Sequence, residues 1–163
     1  KAHARGVQVW ALAKDFDTPT NVDMYQVLAD SENRARLINN LVVTVNGYDI
    51  DGINVDFESV RKQEGTHFVQ FLRELYIACQ EYDIILSVDN YPPNAGNQYY
   101  DYREQSIIAD YVVLMGYDEH WGGSGDPGST ASQPFVEQSL DNLLSMVDSS
   151  KVISIEEFLK NNQ

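Results

Sequence analysis

Cysteine and basic residues are both scarce in this chain of 163 residues. Its single cysteine, Cys79, excludes an intrachain disulfide and a multi-cysteine metal site. Only 11 lysines and arginines stand against 25 aspartates and glutamates, which gives a formal net charge of −14. Binding to phosphate backbones or to an anionic membrane surface needs clustered positive charge, so we expect no nucleic acid and no membrane as partners. No apolar run approaches the roughly 18 residues of a membrane span.

Short apolar runs alternate with segments of helical periodicity along the whole chain. The runs predict five strands, at Val7–Ala13, Ile50–Phe57, Ile84–Val88, Tyr111–Tyr117 and Lys151–Ile155. Apolar residues at helical spacing predict four helices, which begin near Ser31, Thr66, Arg103 and Pro134. Asp15–Asn21 has the composition of a loop. This order predicts an α/β fold with a parallel sheet and helical crossovers, in which ligands bind at the carboxyl ends of the strands.

The second predicted strand leads into the most informative segment, Asp-Gly-Ile-Asn-Val-Asp-Phe-Glu at positions 51–58. Because side chains alternate along a strand, Asn54, Asp56 and Glu58 share one face, opposite the apolar residues between them. Buried charge is costly, so an acidic row that ends at the carboxyl tip of a strand indicates chemistry. A general acid must hold its proton near neutral pH, and the charge of Asp56 beside Glu58 favours the protonated form.

This segment resembles the pattern Asp-x-x-Asp-x-Asp-x-Glu of glycoside hydrolase family 18, the chitinase-like family, on the fourth strand of a (β/α)8 barrel. The resemblance implies that Glu58 is the proton donor and that Asp56 orients the acetamido group of the substrate. Asp51 matches the first, mainly structural aspartate of the pattern, and we include it among the expected substrate-binding residues. Asn54, in the same set, departs from the common Asp and is similar to the branch that acts on spore and cell-wall peptidoglycan.

Two more segments resemble the same family. Met115-Gly116-Tyr117-Asp118 is similar to its Met-x-Tyr-Asp motif on the sixth strand. This likeness implies that Tyr117 donates a hydrogen bond to the acetamido carbonyl, and that Met115 and Asp118 line the pocket. Ser87–Pro93 is similar to the fifth strand and its loop. Further contacts with substrate are then expected from three side chains: Asp89, Tyr91 and Trp121. Trp10 also has a ring that suits a sugar, but core packing is an equally good interpretation.

The resemblance implies a retaining, substrate-assisted hydrolysis of β-1,4-linked N-acetylglucosamine polymers, either peptidoglycan or chitin. Polysaccharide is the expected partner, no metal or other cofactor is implied, and a secreted, cell-wall or spore-associated location follows from the same likeness. The alternative is a lectin-like member of the same fold that binds sugar without turnover. Residues 47–58 also share part of the spacing of a calcium-binding loop, although Gly47 stands where that loop has Asp.

The length of the chain limits how much of a barrel it contains. A (β/α)8 barrel takes about 250 residues, and the resemblance here runs from roughly the third to the seventh strand. We therefore expect residues 1–163 to be one incomplete catalytic domain, a partial (β/α)8 barrel. An open sheet leaves unpaired backbone groups on its outer strands, which favours self-association.

The isolated 163-residue chain is therefore expected to sediment as an oligomer or an aggregate and to lack the activity of a complete barrel. Analytical ultracentrifugation measures this directly. A monodisperse, fully active monomer would contradict the expectation.

Overall fold

A computed structural model describes residues 1–16, 22–123 and 125–155 of the chain. Five parallel strands form one sheet in sequence order: β1 (Trp10–Lys14), β2 (Gly52–Asp56), β3 (Ile85–Asn90), β4 (Tyr111–Met115) and β5 (Val152–Ile155). The predicted α/β class is confirmed, and each predicted strand overlaps an observed one. Most of the loop predicted at Asp15–Asn21 lies outside the described residues.

Helices connect consecutive strands of the sheet. They are α1 (Met24–Ala29), α2 (Ser31–Gly47), α3 (Gly65–Gln80), α4 (Tyr102–Ile108) and α5 (Gln133–Leu144). The sequence predicted all of these except α1, whose six residues are too few to show a helical period. Asp30 ends α1 and caps α2, because its side chain accepts from the backbone N–H groups of Glu32 and Asn33. Within the described residues, no helix is long and apolar enough to cross a membrane.

One face of the sheet is covered by helices and forms the core. Ile53 and Val55 of β2 are fully buried there, together with their neighbours on β3 and β4. Just beyond β2, Phe57 stacks on Phe71 of α3, with ring centroids 5.4 Å apart and planes at 8°. Cys79 of α3 is fully buried in the same layer, and burial raises the pKa of its thiol to about 12, as is typical of an unreactive thiol. This packing fixes which face of β2 carries the acids.

The opposite face of the sheet carries the polar residues in register. Leu12 of β1 pairs with Asn54, which in turn pairs with Ser87 of β3. One pleat further on, Lys14 pairs with Asp56, and the same register brings Asp56 next to Asp89. Parallel strands lie about 4.8 Å apart, so side chains in one row are immediate neighbours.

The amino end of this polar face is closed by stacked rings. Trp10 lies over Gly52 and stacks on Tyr111, with ring centroids 5.4 Å apart and planes at 27°. The indole is thus far from the carboxyl ends of the strands. Of the two interpretations of Trp10, the structure supports core packing.

The outer strands have open edges, as expected. β1 pairs only with β2, and β5 pairs only with β4, among the residues that the structure describes. Leu12 of β1 is 57% exposed. Self-association along these edges remains a prediction.

Gly52→Ala is expected to destabilise the fold by about 1–3 kcal/mol. A Cβ at this position would lie 2.7 Å from Trp10 Cδ1 and 3.0 Å from the carbonyl oxygen of Ile85. The matched control is Gly47→Ala at the end of α2, where an added Cβ has no neighbour within 4 Å. It should change stability by less than about 1 kcal/mol, in the stabilising direction. Urea denaturation compares the two, and equal free energies of unfolding would show that the Trp10–Gly52 contact is not tight.

Candidate active site

Glu58 lies just beyond the carboxyl end of β2, in an irregular segment that is held from two sides. Its backbone N–H donates to Asp15 Oδ1 at 2.9 Å, and the N–H of Ser59 donates to the two oxygens of Asp15 at 3.2 and 3.0 Å. On the buried side, the Tyr100 hydroxyl donates to the Phe57 carbonyl at 2.9 Å. Burial raises the pKa of Asp15 above its ordinary value, although these backbone donors oppose the rise. These hydrogen bonds fix the backbone around Glu58 and thereby the direction in which its side chain projects.

The Glu58 carboxylate accepts a hydrogen bond from a tyrosine that directly follows β3. The Tyr91 hydroxyl donates to Glu58 Oε2. Burial, followed by the hydrogen bond to Glu58, raises the pKa of Tyr91, so this hydroxyl keeps its proton. The contact occupies one carboxylate oxygen of Glu58 and joins the carboxyl ends of β2 and β3.

Asn54 links β2 to β3 one pleat deeper. Its amide nitrogen donates to Asp89 Oδ2 at 2.8 Å, and its amide oxygen accepts from the Ser87 hydroxyl at 2.6 Å. The nitrogen and the oxygen of the Asn54 amide are thus both hydrogen-bonded to side chains of β3. Asp89 is 8% exposed, and burial raises the pKa of its carboxyl while the Asn54 donor lowers it.

Asp56 is the most electrostatically perturbed acid of the cluster. It is 7% exposed, and its Oδ1 has no hydrogen-bond partner among the described residues. Burial raises its pKa to about 6, with further contributions from the negative charges of Asp89, Glu58 and Asp15. Lys14 on β1 acts in the opposite direction. A raised carboxyl pKa beside other acids is typical of a functional site.

A cleft of about 560 Å³ adjoins this cluster through Tyr91, which lines the cleft and donates its hydroxyl to Glu58. It lies within the size range of small-molecule sites. Tyr117 lies two residues beyond β4, and burial together with Asp56 and Asp89 raises the pKa of its hydroxyl to about 12. The hydroxyl is therefore a hydrogen-bond donor at neutral pH. The residues that line the cleft are Tyr91, Pro92, Asn94, Asn97, Tyr117, Asp118, Trp121 and Phe135.

The mouth of the cleft is formed by the segment that follows β4. Trp121 is 63% exposed, and Asp118 is exposed in a left-handed conformation with φ of 64°. The segment is tied back on itself by Ser132, whose backbone N–H donates to Glu119 at 2.8 Å. Met115, the last residue of β4, is 4% exposed and does not line the cleft surface.

Asp51 lies at the other end of the sheet. It precedes the first residue of β2, about 16 Å along the strand from Asp56. Its Oδ2 accepts from the backbone N–H of Val9 at 2.6 Å and lies 2.9 Å from His3 Nε2. This position agrees with a structural role and argues against including Asp51 among the substrate-binding residues. Asn54 lies at the middle of β2, and the other predicted residues lie at the carboxyl ends of β2, β3 and β4 or in the segments that follow them.

The calcium-loop alternative fails on secondary structure. Residues 52–56, which would be the centre of that loop, form β2 and pair with strands on both sides. Within the described ranges, no group of three or more His, Cys, Asp or Glu side chains is placed to hold a metal ion.

Three residues of the site were not predicted from the sequence. Asp15 follows β1 directly and was assigned to a loop, and its position after a strand of a parallel sheet was the available signal. Asn94 and Asn97 line the cleft from the loop after β3. Asparagines in a loop rich in proline are usual turn residues, so composition alone did not separate them from ordinary loop positions.

The family described as glycosyl hydrolases family 18 matches residues 18–153, a range that includes β2, β4 and the cleft. The chain belongs to glycosyl hydrolases family 18. The family predicted from the acidic strand and from Met115–Asp118 is thereby confirmed.

Family-18 relatives include proteins of Bacillus subtilis (strain 168). YdhD, named as a candidate sporulation-specific glycosylase, is 30% identical over 137 residues, which are 80% of this chain and 32% of YdhD. The cortical fragment-lytic enzyme is 33% identical over 112 residues, which are 65% of this chain and 26% of that enzyme. The chain thus spans about a third or less of the length of these two relatives.

Solved structures of the family agree with the fold. The crystal structure of YdhD superposes with a TM-score of 0.86 at 26% identity, over 94% of this chain and 52% of that one. A chitinase from Chromobacterium violaceum gives a TM-score of 0.83 at 26% identity, over 93% of this chain and 50% of that one. The five parallel strands are thus a partial barrel of the (β/α)8 type, as predicted.

The stability of the fold is expected to fall as pH rises from about 4 to about 7, in part through Asp56. Its folded pKa of about 6 lies above its ordinary value of 3.8, so the folded state binds more protons than the unfolded state in this range. Asp56→Asn removes this titration, so the variant should lose less stability over the same range. Urea denaturation at several pH values measures both slopes. Parallel curves for the variant and the parent would contradict a raised pKa at Asp56.

Proposed function

We propose that this family-18 chain carries the catalytic centre of a glycoside hydrolase that cleaves β-1,4-linked N-acetylglucosamine polymers. The observation that carries the proposal is the placement of Glu58. Its carboxylate is held by Tyr91 beside the buried Asp56, and its backbone is held by Asp15. Tyr117 lines the cleft close to the same acids. A carboxyl group fixed next to other acids suits proton transfer to a glycosidic oxygen.

In the first step, Glu58 donates a proton to the glycosidic oxygen of the scissile bond. The carbonyl oxygen of the sugar's own N-acetyl group attacks the anomeric carbon as the bond to the leaving sugar breaks. A cyclic cation forms, and the electron pair of the broken bond leaves with the protonated oxygen. Asp56 and Tyr117 hold the acetamido group, the tyrosine as a hydroxyl donor that its raised pKa keeps protonated.

In the second step, Glu58 is a carboxylate and acts as a base. It takes a proton from water, the oxygen of which attacks the anomeric carbon and opens the cyclic cation. The acetamido group is restored, and Glu58 returns to its acid form. Two displacements at one carbon retain its configuration. Tyr91 stays bonded to one oxygen of Glu58, so the proton exchanges through the other.

The substrate proposed first is peptidoglycan. Two features favour it over chitin: Asn54 in place of the common aspartate, and the relatives named for cortical fragment lysis and sporulation. A spore-associated or cell-wall location follows from the same relatives. The exposed ring of Trp121 at the cleft mouth offers a flat apolar surface for a sugar of either polymer.

The test is hydrolysis of both polymers by the intact protein, with products identified by mass spectrometry. Glu58→Gln should reduce the rate by about 10²–10⁴-fold or more, because the amide cannot donate or accept the proton. The matched control is Glu81→Gln, an exposed glutamate at the end of α3, which should keep the parent rate.

Two outcomes would contradict the proposal. Equal rates for Glu58→Gln and the parent would remove Glu58 from the reaction. Tight binding of N-acetylglucosamine oligomers by the parent, with no product after prolonged incubation, would favour the lectin-like alternative. Cleavage of chitin but not of peptidoglycan would support the glycoside hydrolase activity and make chitin the proposed substrate.

A further inference from the structure

Two buried aspartates face each other across the β2–β3 pair. The register that pairs Val55 with Val88 places Asp56 next to Asp89 on the polar face of the sheet. Both residues are more than nine-tenths buried, at 7% and 8% exposure. In each, Oδ1 is buried and has no hydrogen-bond donor among the described residues.

Two ionised carboxylates in this position would be unfavourable for two reasons. Each would keep a buried acceptor without a donor, and like charges would repel each other across about one strand spacing. A single proton removes both problems, because a protonated carboxyl donates to its ionised neighbour.

We propose that Asp56 and Asp89 share one proton across β2 and β3, and that Asp89 is the positioning residue that sets the protonation of Asp56. The consequence for catalysis rests on the proposed function, whereas the shared proton does not.

Asn54 has a defined part in this arrangement. Its amide nitrogen donates to Asp89 Oδ2 at 2.8 Å, and Ser87 fixes the amide by donating to its oxygen at 2.6 Å. One oxygen of Asp89 is therefore fixed as an acceptor. The other, Oδ1, is the atom that remains for Asp56.

Other charged groups around the pair come from every neighbouring element. Lys14 on β1 favours the ionised form of Asp56, whereas Glu58 and Asp15 favour the protonated form. The hydroxyl of Tyr117, beyond β4, is near both aspartates, and burial together with their charges raises its pKa and keeps it protonated. The pKa values of Asp56 and Asp89 are both raised, with burial as the first cause in each. The charge of Asp89 is the second cause of the rise at Asp56.

The experiment is a pH titration of the aspartate carboxyl carbons by ¹³C NMR in the intact protein. Asp56 and Asp89 are expected to report the same two steps, as coupled groups do. In Asp89→Asn the second step should vanish, and the midpoint of Asp56 should fall by about one pH unit or more. The side-chain oxygen of the new asparagine can still accept from Asn54, so the variant is expected to fold.

The matched control is Asp83→Asn. Asp83 is exposed, before the amino end of β3, and its left-handed φ of 54° suits asparagine equally well. This variant removes the same charge and should leave both midpoints unchanged. Single, independent steps for the two aspartates in the parent, or an unchanged midpoint for Asp56 in Asp89→Asn, would overturn the proposal.

Activity provides the second readout. The acidic limb of the pH profile of kcat/KM should shift to lower pH in Asp89→Asn and stay in place in Asp83→Asn. A parent protein with no hydrolysis would defeat the proposed function, while the NMR titration would still decide whether the proton is shared. Active enzyme whose acidic limb does not move in Asp89→Asn would remove Asp89 from the positioning role.

Discussion

The site depends on one constraint, the crowding of carboxyl groups on one face of adjacent parallel strands. Strand alternation directs Asp56 and Glu58 to the same face, and the parallel register adds Asp89 from β3. Such a face does not stabilise itself, because each buried carboxylate loses hydration and repels the others. Three groups offset this cost: the Asn54 amide one pleat below, which Ser87 fixes, the Tyr91 hydroxyl above and the Lys14 charge to one side.

Stability must therefore come from the other face of the same strands. Phe57 lies between the two acids in sequence and points the opposite way, onto Phe71 of α3. The Phe57 carbonyl accepts from the buried Tyr100 hydroxyl. Because alternation couples the two faces, a register shift of one residue would expose this aromatic cluster and bury the acids in the core. Core packing thereby fixes the orientation of Glu58.

The sequence was informative where one strand contains all the information. Alternation alone predicted the faces of Asp56 and Glu58 correctly.

The partners of these acids were harder to predict, since strand register depends on packing between distant segments. Asp15 shows this well: it contacts the backbone of residues 43 and 44 positions away, and nothing near it in the chain indicates them. Asp51 shows the converse: it belongs to the same motif, but the length of β2 separates it from Asp56. The charge argument treated Asp56 only as a source of charge for its neighbour. Burial makes Asp56 itself a strongly shifted group.

The open edge at β1 bears on these electrostatics. Leu12 is 57% exposed on the same face as Asn54, one strand away, so water reaches this face from the side of β1. Any strand that pairs with β1, whether from a longer chain or from a second copy, would cover Leu12 and reduce that access. Deeper burial disfavours the ionised form of a carboxyl group, so closure would raise the pKa of Asp56 further. Closure would also remove water that screens the charge of Lys14. The attraction between Lys14 and Asp56 would then be stronger and would oppose the rise in the Asp56 pKa. Because burial is the larger of the two contributions to the Asp56 pKa even with the edge open, closure should favour the protonated form of the Asp56–Asp89 pair.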